Sequence, residues 1–499
     1  MTYHSTRDSK ACYTASQAIT QGLSIEGGLI VPEEIPSITS NEIRMLVKIN
    51  YASRASYILS KYLTDFSIDE IDESTGLAYN AKRFRSPAVA PLHELYEGVN
   101  LLELWHGPTC AFKDMALQIL PHLMYYSARR TAENKTIVIL VATSGDTGKA
   151  ALEGFRDAEN TRIIVFYPEN GVSPMQKLQM ITQEGGNVAV CGIEGNFDDA
   201  QTGVKKIFND PGMVSRLDVK NMMFSSANSI NLGRLLPQIV YYISAYCDMI
   251  GNGRINADDL INVVVPTGNF GNILAAYYAR KMGLPIAKLI CASNRNRVLT
   301  DFLNTGEYNR NRSFYTTTSP SMDILISSNL ERLLYDISEN NDVEIIYLMK
   351  QLRKKGRYTV SDKIAKDIKS IFWAGWCDDE QTAQTIKNVY ENHDYLCDTH
   401  TAVAVNVYEQ YRKSTGDKTP TVIVSTANPY KFSASVLDAL GGNCSDGNEF
   451  ELMDRLHELT RKEIPEPLKS IREKEKRFTD VCKPKKMKKT VYKLLGIKK

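Results

Sequence analysis

Thr136-Ile137-Val138-Ile139-Leu140-Val141-Ala142-Thr143, then Ser144-Gly145-Asp146-Thr147-Gly148, then Lys149-Ala150-Ala151-Leu152-Glu153-Gly154-Phe155 form an apolar β-branched run, a glycine turn and a helical pattern without a break. The run is apolar at successive positions, which suits a strand buried on both faces, as in a parallel sheet covered by helices. The unit recurs. Arg162 to Pro168 precedes a helical stretch from Pro174 to Gln183, Asn187 to Cys191 precedes one from Asp198 to Phe208, and Asn262 to Val265 precedes one from Asn272 to Met282. Strands alternating with helices predict an α/β fold.

The flanks read differently. Residues 1–85 mix helix signals (Asn41 to Ser60) with an acidic patch from Asp69 to Glu73 and few strands, Glu331 to Tyr395 reads as charged helix, and the chain beyond Asn443 is helical and charged. This suggests an N-terminal mixed domain at 1–85, a central domain at 86–440 with a small lobe at 130–225, and a C-terminal segment at 441–499. From Lys483 to Lys499 there are eight lysines and no acid, the pattern of a solvated, mobile terminus.

Composition removes several classes of function. At 499 residues the chain can hold two or three domains, and 43% hydrophobic with 24% charged residues is the balance of a soluble globular protein. Sixty basic against 58 acidic residues leave a net charge of +2, so no global field favours a nucleic-acid or membrane partner. No apolar stretch approaches the ~20 residues that span a bilayer. The polar start from Met1 to Asp8 and nine cysteines placed singly, with no CxxC pair, lead us to expect a cytoplasmic protein with reduced thiols. His106 and Cys110 lack a second ligand pair, so no metal centre is expected.

Three turns carry chemistry. Ser144 to Gly148 and Thr267-Gly268-Asn269-Phe270-Gly271-Asn272 each follow a strand and open a helix, where free amides and the helix dipole bind an anion; the first suits a carboxylate or phosphate, the second a phosphate monoester. Neither has the spacing of a dinucleotide fingerprint or a P-loop. Ser425-Thr426 ends the run Pro420 to Val424, where hydroxyls either face the ligand crevice or cap the next helix. The aperiodic segment Trp105 to Phe112 leads into Lys113, just before a helical pattern from Met115 to Leu120. A lysine at a helix N-terminus within a desolvating site can act as a nucleophile and carry pyridoxal phosphate as a Schiff base.

Taken in order, these segments resemble the threonine synthase family. They are Tyr3-His4-Ser5-Thr6-Arg7 with Gly27 to Pro32, His106-Gly107-Pro108-Thr109 to Phe112-Lys113-Asp114, Ala142 to Gly148, Asn228-Ser229-Ile230-Asn231 with Arg234 and Pro237 to Tyr242, Gly268 to Asn272, Asp398 to Ala404, and Ser425-Thr426-Ala427. The resemblance implies the pyridoxal-phosphate fold type II, with two parallel or mixed sheet lobes covered by helices. It further implies conversion of O-phospho-L-homoserine and water to L-threonine and phosphate in a monomer or homodimer. Under it Lys113 would bind the cofactor aldehyde and move protons, and Gly268, Asn269, Phe270, Gly271 and Asn272 would hold the cofactor phosphate. Thr426 would meet the pyridine nitrogen, and Asp146 the cofactor hydroxyl. Ser144, Gly145 and Thr147 would cradle the substrate carboxylate, and Thr109, Asn231, Arg234, Arg295 and Lys431 are the candidates for the substrate phosphate. Asp146 stands where relatives often have asparagine, Leu232 where tryptophan is usual, and Asn428 where histidine is common. A phospholyase giving 2-oxobutyrate, ammonia and phosphate would keep the same anchors, and a cofactor-holding protein without turnover would keep Lys113.

Overall fold

The computed structural model describes residues 1–132, 135–143 and 145–497, with only the backbone of Asp198. Two sheets organise the chain. The larger has six strands in the order Phe372–Trp376, Ile286–Ser293, Ile261–Pro266, Thr421–Ser425, Val99–Glu103 and Leu92–Tyr96, all parallel except the last pair. The smaller is parallel throughout, in the order Val481–Cys482, Val188–Ile193, Thr161–Pro168, Thr136–Ala142 and Met222–Ser225. Every residue of Ile261–Pro266 and all but the first of Thr136–Ala142 are buried, as the unbroken apolar runs require.

Helices cover both sheets. Leu232–Gly251, buried along nearly its whole length, packs on Gly271–Met282 and on the N-terminal helix Tyr51–Ser60. It also meets the single turn Asp114–Leu117, which has Lys113 at its N-cap. The expected helix from Met115 to Leu120 therefore breaks after one turn, and a longer helix begins at Leu120.

One flanking expectation is filled in and two are corrected. The N-terminal region contains an antiparallel sheet of Tyr3–Ser5, Asp8–Tyr13 and Ile30–Pro32, strands too short to show periodicity. Within Glu331 to Tyr395 the segment Phe372–Trp376 is the edge strand of the large sheet; charged helices on either side obscured it. The basic tail is docked. Val481–Cys482 adds a strand to the small sheet, and Met487–Leu495 packs on the helix Phe197–Phe208, burying Met487, Val491, Tyr492 and Leu495 in the apolar cluster that includes Val138, Leu140, Ile164 and Phe166. The apolar residues recur at helical spacing and the lysines occupy the remaining faces, two of them pairing with Asp210 and Asp480.

Candidate active site

The site lies where loops leave the C-terminal ends of neighbouring parallel strands, the usual place for a ligand crevice in an α/β sheet. Lys113 follows Val99–Glu103, the turn at Gly268 follows Ile261–Pro266, and Thr426 follows Thr421–Ser425. The last two strands are adjacent. The segment carrying Lys113 is stitched to the third strand: Phe112 N donates to Thr426 O at 2.8 Å, Asn428 N donates to Cys110 O at 3.1 Å, and Ala111 and Ala427 form an antiparallel bridge. Backbone bonds thus bring Lys113 to Thr426 across three hundred positions of sequence.

Lys113 is surrounded by charge. Its Nζ lies 3.6 Å from Asp146 Oδ2, and Lys431 Nζ lies 2.7 Å from Asp146 Oδ1. Burial, reinforced by the Lys431 and Arg234 cations and opposed by Asp146, lowers the Lys113 amine to about 8. For Asp146 burial works against ionisation, but Lys431 and Lys113 outweigh it, with a bond from Gln176 Nε2 at 2.9 Å, and hold its carboxyl well below the usual range. Asp146 is thus an ionised carboxylate with two cationic neighbours, which accounts for an acid at this position. Beneath them Asp114 accepts from Thr109 N at 2.8 Å and Thr109 Oγ1 at 2.7 Å; burial raises its carboxyl to about 6 against these bonds.

Two helix starts face this cluster without side-chain caps. The helix Asp146–Gly154 begins at Gly145, whose φ of 139° only glycine adopts readily, and whose Cβ, if present, would lie 2.3 Å from Gln176 Oε1. Gly145 N donates to Thr143 Oγ1 at 2.9 Å, while Thr147 is half-buried at the helix start; Ser144 lies outside the described residues. The helix Gly271–Met282 begins at Phe270, held in the left-handed region at φ 63°. Before it, a Cβ on Gly268 would meet Ser321 O at 2.8 Å.

The five candidates for a phosphate partner divide. Thr109 spends its hydroxyl on Asp114 and its carbonyl on Lys431 Nζ at 3.0 Å. The Asn231 side chain caps Gly233 N and donates to Ile19 O and Ser226 O, so both residues serve the fold. Arg295 is exposed over the Tyr315 ring. Lys431 is fully buried and already paired with Asp146. Arg234 is 3% exposed, bonded through Nη1 to Ala227 O at 3.0 Å, has a buried Nε without a partner, and forms no ion pair among the described residues.

Sequence reasoning missed four residues of the site: Gln176, Ser321, Asp398 and His400. Gln176 and Ser321 lie in stretches without a motif, whereas Asp398 and His400 belong to a segment of the family pattern from which no role could be read. The departures from that pattern are also placed. Asn428 caps the turn Pro429–Phe432 by accepting from Tyr430 N at 3.1 Å, and Leu232 is core.

The sequence matches three family models in succession: "Threonine synthase N terminus" over residues 2–79, "Pyridoxal-phosphate dependent enzyme" over 84–361, and "Threonine synthase, C-terminal" over 401–491. The chain belongs to the threonine synthase family. It is 39% identical to the threonine synthase of Pseudomonas aeruginosa over 436 residues, covering 87% of this chain and 90% of that protein. It is 41% identical to threonine synthase-like 1 of Homo sapiens across 85% of this chain, and spans only 58% of that longer relative. Among solved structures, a pyridoxal-phosphate-bound threonine synthase from Brucella melitensis superposes with a TM-score of 0.87 at 36% identity, covering 99% of both chains. The fold is therefore fold type II, and this family of pyridoxal-phosphate enzymes fits the residues present. An uncapped helix start preceded by a glycine with no room for a Cβ suits a phosphate ester. Asn272 Nδ2 and Arg234 Nε are buried donors with no acceptor among the described residues, and the Lys113 amine is depressed toward neutrality. Among the described residues no helix is long and apolar enough to cross a membrane.

Proposed function

We propose that this chain is a threonine synthase, a carbon-oxygen lyase that converts O-phospho-L-homoserine and water to L-threonine and inorganic phosphate. The observation that carries the reading is a buried amine at about 8, Lys113, beside two uncapped helix starts and a buried guanidinium with no acid partner among the described residues. Three separate anionic groups call for such a set: the cofactor phosphate, the substrate carboxylate and the substrate phosphate.

On this reading Lys113 binds the cofactor aldehyde. The amides of Gly268, Asn269, Phe270, Gly271 and Asn272 hold the cofactor phosphate, Thr426 gives its hydroxyl to the pyridine nitrogen, and Asp146 stands at the ring hydroxyl. Bound pyridoxal phosphate supplies an electron sink that acidifies the carbons next to the substrate amine. Gly145 and Thr147, with Ser144, orient the substrate carboxylate. Arg234 takes the substrate phosphate, with the Lys431 charge behind it. With its amine free, Lys113 Nζ would take the proton at Cα, give it up, and then take one at Cβ, which would permit phosphate to leave from Cγ. It returns a proton to Cγ to make the methyl group. A water would then add its hydroxyl at Cβ, its other proton going to the released phosphate, and Lys113 would restore the proton at Cα. We also read 1–85, 86–440 with a small lobe at 130–225, and 441–499 as the units of the chain, and a cytoplasmic monomer or homodimer as its working form.

The test is borohydride reduction of the purified holoenzyme with peptide mapping, alongside product analysis with O-phospho-L-homoserine. A pyridoxyl label on Lys113 and threonine as product are expected. A label on another lysine refutes the covalent assignment, and 2-oxobutyrate with ammonia would make the chain a phospholyase.

A further inference from the structure

The segment Asp398-Thr399-His400-Thr401 opens the helix Thr399–Thr415, and its histidine does more than the helix needs. Asp398 is the N-cap, accepting from His400 N at 2.8 Å and Thr401 N at 3.3 Å. Its Oδ1 also meets His400 Nδ1 at 2.8 Å. A carboxylate only accepts, so Nδ1 carries the proton. On the far side of the ring Nε2 meets Ser321 N at 3.2 Å. An amide only donates, so Nε2 is bare, and the imidazole is neutral and of one tautomer. It is 2% exposed and lies against the Phe432 ring.

Ser321 belongs to a strap running from the strand Glu307–Asn309 to the helix Leu330–Ile337. The strap crosses the turn proposed for the cofactor phosphate at three points. Ser321 O lies 2.8 Å from where a Cβ of Gly268 would be, Ser327 Oγ donates to Gly268 O at 2.8 Å, and Asn329 N and Nδ2 donate to Asn269 O at 3.1 Å each. The Ser321 hydroxyl reaches Asp146 Oδ2 at 3.4 Å, on the small-lobe helix. Elsewhere the strap is moored by Asp323, which accepts from Asn294 and Asn296 at 2.8 Å, and by Thr318 on Asp379. Those moorings hold the strap to the large lobe. The bond to His400 acts on the residue that touches Gly268 and Asp146 together.

We propose that Asp398 and His400 form a positioning pair: Asp398 orients the imidazole, and its bare Nε2 holds the Ser321 amide so that the strap presses on the Gly268 turn and reaches Asp146. The inference rests on the reading of that turn as the cofactor-phosphate site. A helix-start histidine of purely structural use would need only its contact with Asp398.

The holoenzyme tests this. His400→Ala should weaken pyridoxal-phosphate affinity about tenfold, the effect of losing one buried acceptor. It should raise KM for O-phospho-L-homoserine by a similar factor, with kcat changed less than about threefold. Hydrogen exchange should quicken in the strap around Ser321 while the helix Thr399–Thr415 stays protected. His400→Gln keeps an acceptor and should recover most of each effect. Exchange that rises equally over the helix and the strap, or unchanged cofactor affinity and KM, overturns the proposal. If the alanine variant does not fold, ¹⁵N-histidine spectra of the wild type decide: a proton on Nε2 of His400 refutes the arrangement, and one on Nδ1 with bare Nε2 supports it. Threonine formation by the wild type is measured beside these, so a failure of the function reading is seen separately from a failure of the positioning pair.

Discussion

Replacing Lys431 by methionine should raise the pKa of Lys113. In the native protein burial lowers this amine from 10.5 to about 8, with Lys431 and Arg234 adding to the fall and Asp146 opposing it. At pH 7 an amine at 8 is unprotonated about 10% of the time and one at 10.5 about 0.03%, so the site gains about 300-fold in free amine. Lys431 sits 2.7 Å from one oxygen of Asp146 and Lys113 sits 3.6 Å from the other. Without Lys431, Lys113 loses a repelling charge and faces a carboxylate whose nearer partner has gone. A rise of one unit corresponds to about 1.4 kcal/mol and a tenfold loss of free amine at pH 7. Mixing apoenzyme with pyridoxal phosphate at a series of pH values, and following the visible absorption, reads this amine directly. The midpoint of the rate should move to higher pH in Lys431→Met, the rate at pH 7 should fall about tenfold, and the plateau at high pH should persist. Removing one partner of a buried pair should also cost about 3–5 kcal/mol of stability. In Lys431→Met/Asp146→Asn both charges are absent, so the midpoint should return toward the wild-type value and part of the stability should come back. A midpoint that stays or falls in the single variant, or that the second substitution does not bring back, refutes Lys431 as a charge that adds to burial in lowering the Lys113 amine.

The same geometry has other measurable consequences. Because the folded pKa of Lys113 lies below its unfolded value, the unfolded chain binds more protons between pH 8 and 10.5, and apoenzyme stability should rise with pH across that window. Lys113→Met should flatten that rise in denaturant titrations and stabilise the apoenzyme at pH 7 by about 3 kcal/mol; an equal slope in the variant would contradict the shift. Gly268→Ala places a methyl group 2.8 Å from the Ser321 carbonyl, so the strap must move; equilibrium dialysis should show pyridoxal-phosphate affinity reduced at least about tenfold, and unchanged affinity would count against close packing there. Ending the chain at Asp480 removes Met487, Val491, Tyr492 and Leu495 from the small-lobe core. At about 1.5–3 kcal/mol for each fully buried apolar side chain, thermal unfolding should shift down by many degrees, and an unaltered Tm would show that the tail does not dock.

Local patterns made much of this legible. The strands of the four units appear with ends within a residue or two of those read from apolar runs, because a strand buried on both faces must be apolar at every position; the helix read from Lys149 begins three residues earlier, at Asp146. Lys113, the Gly268 turn and Thr426 stood out because reactive loops depart from periodicity. The edge strand Phe372–Trp376 and the docked tail were hidden for a shared reason: each is short, and flanking charges mask a pattern that only its tertiary partner makes meaningful. Among the phosphate candidates residue type could not separate Arg234 from Asn231 or Thr109, since whether a polar group is free depends on what the rest of the chain offers it.

The order and chemistry of the segments, by themselves, determined an α/β protein of the threonine synthase family, with Lys113 and two glycine turns as the candidates for its site. Those properties are carried by residues close in sequence. Only the tertiary structure decided that Lys431 and Asp146 share one buried charge cluster with Lys113, that Asp398 and His400 bear on Ser321, and that the lysine-rich end of the chain completes the small lobe. Electrostatic and hydrogen-bond partnerships act over a few ångströms, and here they join residues separated by tens to hundreds of positions that only folding brings within reach.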